Sequence, residues 1–326
     1  MKTTVFHDEF KKLGAFMADF GGWDMPIYVS GIKDEHFAVR ENVGMFDVSH
    51  MSFFTLKNSK EARNILAADL TNKKSGDAVY SLILNENGGI VDDTIVYIKN
   101  DDELYLVANA GNDEKVKNWF AKFGVKIELE NRAAIALQGP KSKGILSQII
   151  DLPELGYFKF YENEDMLVAR TGYTGELGYE LYIKSDPLKI WQKLVDAGVK
   201  ICGLGARDIL RLEAGYPLYG HELNDETTPF EAGLAWSLKK EIKRIEPKKK
   251  LVGLELPDRK FIPRAGAQIK NGGVVTSGSY SFYLEKTIAL AYTSLDLKEV
   301  EVEIRGKQVP AKVVKKSFYY NPNIRS

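Results

Sequence analysis

The chain has 326 residues, room for two or three domains of roughly 100–200 residues each. Its 45 Lys and Arg balance 45 Asp and Glu, so it lacks the basic surplus that phosphate binding needs, which argues against a nucleic-acid partner. Apolar residues at 44% exceed what disorder tolerates, and a single cysteine, Cys202, excludes an internal disulfide and thiolate metal cages.

The N-terminus carries no long apolar stretch and reads as no signal peptide. No window approaches the run of about 20 apolar residues that spans a bilayer. Four scattered histidines (His7, His36, His50, His221) show no metal-ligand spacing, so no metal is expected. A cytoplasmic protein with no membrane partner fits these features.

In chain order, strands are expected at 94–98 and 104–108. A helix over 113–123 follows, with Val116, Trp119, Phe120 and Phe123 on one face and Asn112 or Asp113 as N-cap. Residues 125–130 alternate strictly, as a half-buried strand does. Strands at 133–138, 166–170 and 179–184 are interleaved with helices over 141–150, around Ile190–Trp191–Leu194–Val195, and over 206–215. Gly198 ends the second of these. Short strands with irregularly placed helices indicate α+β with antiparallel sheets. The stretch 239–250, with seven Lys or Arg and Pro247, reads as a linker. Beyond it lies a small all-β module with hairpins at Asn271-Gly272-Gly273 and Arg305-Gly306-Lys307. There is no internal repeat.

Four polar-aromatic segments could carry chemistry. They are Gly21-Gly22-Trp23-Asp24-Met25-Pro26 with residues 44–51; Tyr80 through Asp93; Arg170 through Glu180; and Gly203 through Tyr216. A phosphate-binding glycine loop and a nucleophile elbow are absent. Gly203-Leu204-Gly205 starts like a dinucleotide motif but lacks the third glycine. Consecutive Asp92 and Asp93 point to opposite faces of a strand, one inward and one to solvent. Pattern alone favours two solvated carboxylates over one that faces a pocket and manages a proton. Glu180 likewise reads as an exposed strand position, and Arg207 with Arg211 (i, i+4) as a surface ion-pair network of little energetic worth. Trp23, Tyr80, Tyr173 and Tyr216 read singly as core or rim aromatics.

Taken together and in order, these segments resemble the aminomethyltransferase (T-protein) family of the glycine cleavage system. The resemblance continues through Tyr219-Gly220-His221, Thr228-Pro229-Phe230-Glu231 and Val275-Thr276-Ser277-Gly278, and so covers nearly the whole chain. It implies an α+β fold of three domains in a ring-like arrangement. Residues 1–50 with 133–240 would form a discontinuous folate-binding domain, 51–132 a second α+β domain, and 248–326 a C-terminal barrel-like β domain. It also implies a reaction. The methylene of an aminomethyl group on a lipoylated carrier, the H-protein, passes to tetrahydrofolate, with release of ammonia and formation of 5,10-methylenetetrahydrofolate.

By this resemblance Asp93 is the catalytic carboxylate, and Glu180 binds the amino-pyrimidine edge of the pterin. Arg207 is a substrate-site arginine. Tyr80, Asn109, Tyr173 and Tyr216 line the pocket, and Met51 forms a wall. Tyr157 is a stacking aromatic, and Arg325 meets the folate glutamate carboxylate. The alternative is another tetrahydrofolate-dependent demethylase, or a folate-binding protein, of the same fold. Two departures from the family pattern stand out: the charged stretch 239–250 replaces a helix, and Ser281-Phe282-Tyr283-Leu284 replaces Ser-Pro-Thr-Leu.

Overall fold

A computed structural model describes residues 1–57, 59–270, 272–294 and 297–325. Among the described residues, three larger antiparallel-rich sheets and a two-stranded one, Phe16–Phe20 with Trp23–Tyr28, organise the chain. The first has six strands in the order Phe160–Glu162, Met166–Ala169, Gly178–Ile183, Ala133–Gln138, Gly44–Asp47 and Lys200–Cys202. Only its last pair is parallel. The second has five, in the order Ala78–Leu84, Ile90–Ile98, Glu103–Ala108, Ser52–Lys57 and Ile127–Glu130. The third also has five: Gly273–Ser281, Lys286–Thr293, Lys250–Leu256, Lys307–Val314 and Glu299–Ile304.

Residues 268 and 269 curl the third sheet toward closure. Gln268 pairs with Val274 at one edge and Ile269 with Val302 at the other. Arg305 and Gly306, both at positive φ (53° and 74°), make its expected hairpin turn. The Asn271 turn lies partly outside the described residues, but its flanks meet through the Gln268–Val274 bridge.

Each sheet buries apolar residues on a helix layer or on another sheet. Helices Ser142–Ile149 and Pro187–Asp196 cover one face of the first sheet through Leu146, Ile190, Trp191 and Leu194. Its other face meets the second sheet, where Phe53, Tyr97 and Tyr105 pack near Tyr182. Helix Asp113–Ala121 covers the second sheet with Val116 and Phe120. Helix Leu204–Ala214 places Leu212 against Leu251, Ile288 and Leu290 of the third sheet. The sheets thus share one body, joined by helix Leu204–Ala214 and its flanking loops. Among the described residues no helix is long and apolar enough to cross a membrane.

Several local expectations need correction. Phe123 falls past the helix end at Ala121 and is 51% exposed, packing edge-on against Trp119. Leu129 is also exposed, so strict alternation fails at this sheet edge, where burial stops after the first residues of the segment. Asn112 does precede its helix, but its side chain makes no cap; the amide donates to Asp92 instead. The charged stretch 239–250, expected as a linker, is tied down at its start. Lys239 reaches the carbonyls that end helix Ser59–Ile65: its Nζ donates to Asn64 and Leu66, each at 2.9 Å. Its main-chain N–H donates to Ala67, and Ile242 packs on the neighbouring apolar cluster.

Candidate active site

One cavity of about 1020 Å³ opens where the first and second sheets, helix Leu204–Ala214 and the C-terminal tail come together. All ten residues singled out from the sequence line it: Met51, Tyr80, Asp93, Asn109, Tyr157, Tyr173, Glu180, Arg207, Tyr216 and Arg325.

Strand alternation builds the carboxylate centre. On Ile90–Ile98, Asp93 faces the cavity and Asp92 the opposite side. Leu82 sits across from Asp93 in the neighbouring strand, which puts Tyr80 two residues away on the same face. The Tyr80 hydroxyl donates to Asp93 Oδ2 at 3.2 Å, and Asn109 Nδ2 donates to Oδ1 at 2.8 Å. Burial pushes the Asp93 carboxyl up, and these hydrogen bonds offset part of that rise. Asp92 does not reach solvent, contrary to expectation: it is fully buried. Its oxygens accept from Asn109 N–H (3.1 Å), Asn109 Nδ2 (2.7 Å) and Asn112 Nδ2 (3.1 Å). Burial first, and then the charge of Asp93, raises its carboxyl as well. Asp92 therefore anchors Asn109, whose amide holds Asp93, while Asp93 presents its carboxyl to the cavity.

Glu180 is not an exposed strand position either. It is 8% exposed, on a strand hydrogen-bonded on both sides, and its Oε2 accepts from the Thr171 hydroxyl at 2.6 Å. Arg207 and Arg211 form no surface network. Arg211 is buried and saturated by Asp208 (2.8 Å), Glu222 (2.8 Å) and Ser277 Oγ (2.7 Å). Arg207 lies over the Tyr173 ring at 5.0 Å, and among the described residues its Nη1 has no hydrogen-bond partner. Burial draws its guanidinium below the ordinary value, against the pull of Glu180.

Aromatic rings shape the remaining walls. Tyr173 stacks on Tyr216 at 5.8 Å and donates its hydroxyl to the Pro217 carbonyl at 2.5 Å. Burial raises the Tyr216 hydroxyl to about 12, so it stays protonated. Arg325 lies over Tyr157 at 5.8 Å. Gly215, at φ 74°, ends helix Leu204–Ala214, and a side chain there would overlap the Lys316 carbonyl.

Three further lining residues stand out that were not among those ten. Trp236, 72% exposed, stacks on Tyr80 at 5.7 Å. His50 is buried with Nδ1 unpartnered among the described residues; burial, then the charge of Arg207, lowers its pKa to about 3, so it is neutral. Lys316 enters from the tail. Their only sequence signals were membership of a noted segment (His50) and nearness to one (Trp236). Lys316 gave none, because it lies in an ordinary Lys-rich strand end.

The cavity therefore offers a broad aromatic slot, two carboxylates on separate strands, one buried and one half-buried, and a guanidinium with donors to spare. That set suits a flat, nitrogen-rich ring whose N–H edge meets one carboxylate while the second stands by a reacting nitrogen.

Comparisons with known proteins agree over the full length. Residues 6–242 match the GCVT N-terminal domain, and residues 249–319 the glycine cleavage T-protein C-terminal barrel domain. Proteins named aminomethyltransferase from Bacillus cytotoxicus and Bacillus mycoides are each 41% identical over 98% of this chain and 98% of theirs. The crystal structure of the glycine cleavage system aminomethyltransferase T from Bartonella henselae superposes with a TM-score of 0.93, at 32% identity, over 98% of both chains.

Proposed function

The chain belongs to the glycine cleavage T-protein family, and from that membership we propose a mechanism for its central cavity. The activity is aminomethyl transfer within the glycine cleavage system. The substrates in this reading are the aminomethylated lipoyl arm of a carrier H-protein and tetrahydrofolate, meeting in the cytoplasm.

Overall, the carbon–sulfur and carbon–ammonia bonds break, and the methylene bridges folate N5 and N10. Of the two protons leaving those nitrogens, one ends on sulfur and one on ammonia. Glu180 accepts from the amino-pyrimidine edge of the pterin, and Arg207 uses its free donors on the adjoining ring face. Tyr173, Tyr216, Met51 and Trp236 hold the flat rings. Tyr157 and Arg325 flank the glutamyl tail. Asp93 orients the nucleophilic nitrogen and, as a carboxylate held in the cavity wall, favours the positive charge that grows there during attack. Asn109 and Tyr80 fix its rotamer. Holding two large reactants in one slot removes much of the entropic barrier.

The observation that carries this reading is the Asp93 carboxylate, half-buried and facing the cavity between two fixed donors. It is tested by ammonia release from aminomethylated carrier with and without tetrahydrofolate. Strong acceleration by folate is expected; equal rates would refute the proposal.

A further inference from the structure

The cavity contains a cation to which the mechanism above gives no task. Lys316 lies half-buried in the wall, just beyond strand Lys307–Val314. Its carbonyl oxygen lies close to Gly215, where an added Cβ would overlap it. Its Nζ donates to the Ala232 carbonyl at 2.8 Å. An ammonium has three N–H donors, so two are left.

Two other internal cations differ, and a third with spare donors, Arg207, is already assigned to the pterin. Arg211 is closed off by Asp208, Glu222 and Ser277. Arg40 is closed off by Glu213 and Glu176. Lys316 has no carboxylate within ion-pair distance among the described residues. Burial brings its pKa down to about 8, with the charge of Glu222 opposing the fall. An ammonium held away from water without a counter-ion costs the fold free energy, which an incoming anion offsets. Its anchor, Ala232, precedes Trp236 by four residues; Trp236 stacks on Tyr80, and Tyr80 bonds Asp93. The ammonium thus belongs to the wall on the Trp236 side, a different wall from the strand that carries Glu180.

We propose that Lys316 is an anion-binding point of this cavity, receiving a negative group that a substrate brings or the reaction creates. The inference rests on the aminomethyl-transfer reading, which supplies two such groups. One is the thiolate formed when the carbon–sulfur bond breaks and its electron pair stays on sulfur, before a proton from the folate nitrogen neutralises it. The other is a glutamyl carboxylate of tetrahydrofolate, which undergoes no bond change.

The test uses full-length Lys316→Met and Lys316→Arg. Turnover is followed as ammonia release from aminomethylated carrier. Dissociation constants are measured by calorimetry for tetrahydrofolate and for tetrahydropteroate, which lacks the glutamate. The Met variant should lose about tenfold or more in turnover or in folate affinity, and the Arg variant should recover to within about threefold of the parent. A fall in turnover at unchanged folate affinity supports the thiolate. Weaker binding of tetrahydrofolate but not of tetrahydropteroate supports the carboxylate. A Met variant within about twofold of the parent on both readouts overturns the proposal, and so does an Arg variant as poor as Met. If the Met variant fails to fold, Lys316→Gln takes its place under the same criteria. Loss of folate-dependent ammonia release in the unmodified chain would instead refute the reading on which the inference rests.

Discussion

Asp93 shows how much a single carboxylate depends on its surroundings. Burial raises its pKa, while the Tyr80 and Asn109 donors favour the ionised form. If the ionised form is the active one, turnover falls as pH drops through that raised pKa. The acid limb of the rate profile should then lie above the ordinary aspartate value of about 4. Asp93→Asn keeps the shape and loses the charge. Its turnover should fall by roughly 10²–10⁴ with folate affinity largely kept, and the acid limb should vanish; steady-state rates across pH check both. Glu180 serves a different end, because its carboxylate is already oriented by Thr171. Glu180→Ala should weaken folate binding by roughly tenfold or more, read by calorimetry. These assignments were legible only in part. The resemblance picked out both acids, yet pattern alone favoured solvated carboxylates at both Asp92 and Asp93 and left Glu180 exposed. Alternation along a strand says which residues share a face; it does not say what covers that face.

At the scale of elements, the segment 239–250 is the instructive case. Its composition suggested a linker, and within it Lys239 lies against the end of helix Ser59–Ile65. There the unpaired carbonyls and the negative end of the helix dipole attract its ammonium. The segment therefore clamps a helix of the second sheet's layer to the wall that carries Trp236. Lys239→Met should cost about 1 kcal/mol of stability, measured by urea unfolding. An unchanged midpoint would mean that the contact contributes nothing. Helices and strands were otherwise legible wherever apolar spacing was strong, as at Val116 and Phe120. Legibility failed at ends such as Phe123 and Leu129, where the layer above stops.

At the scale of the whole molecule, a buried polar network ties distant segments together. Arg40 donates to Glu213 Oε2 at 2.5 Å and to Glu176 Oε1 at 2.9 Å, and its guanidinium lies 3.9 Å from the Tyr319 ring centre. Glu213 also meets His36 at 2.8 Å and the Ser281 hydroxyl. Helices Ile32–Glu41 and Leu204–Ala214, strand Gly273–Ser281 and the tail are thereby joined. Removing Arg40 leaves two buried carboxylates without their counter-ion. Arg40→Met should therefore destabilise the fold by about 3–5 kcal/mol in denaturant unfolding. Burial alone would raise the Glu213 carboxyl, but His36 and Arg40 prevail and hold it below the ordinary range. A depressed carboxyl contributes stability above its unfolded pKa and loses it as pH falls through the folded value. The parent should accordingly lose stability on acidification below about pH 4.5, with part of that loss absent from Glu213→Gln.

The sequence by itself determined the α+β class, the barrel-like C-terminal module, and the ordered segments by which the family and its aminomethyl transfer were recognised. It could do so because apolar periodicity and turn residues act locally, and because many ordered matches accumulate along a chain. Tertiary structure alone decided which charges are buried, that Asp92 supports Asp93, that Arg211 is saturated while Arg207 is not, and that Lys316 stands in the cavity without a counter-ion. Each of those depends on side chains far apart in the chain displacing water from one another, and no local pattern encodes that.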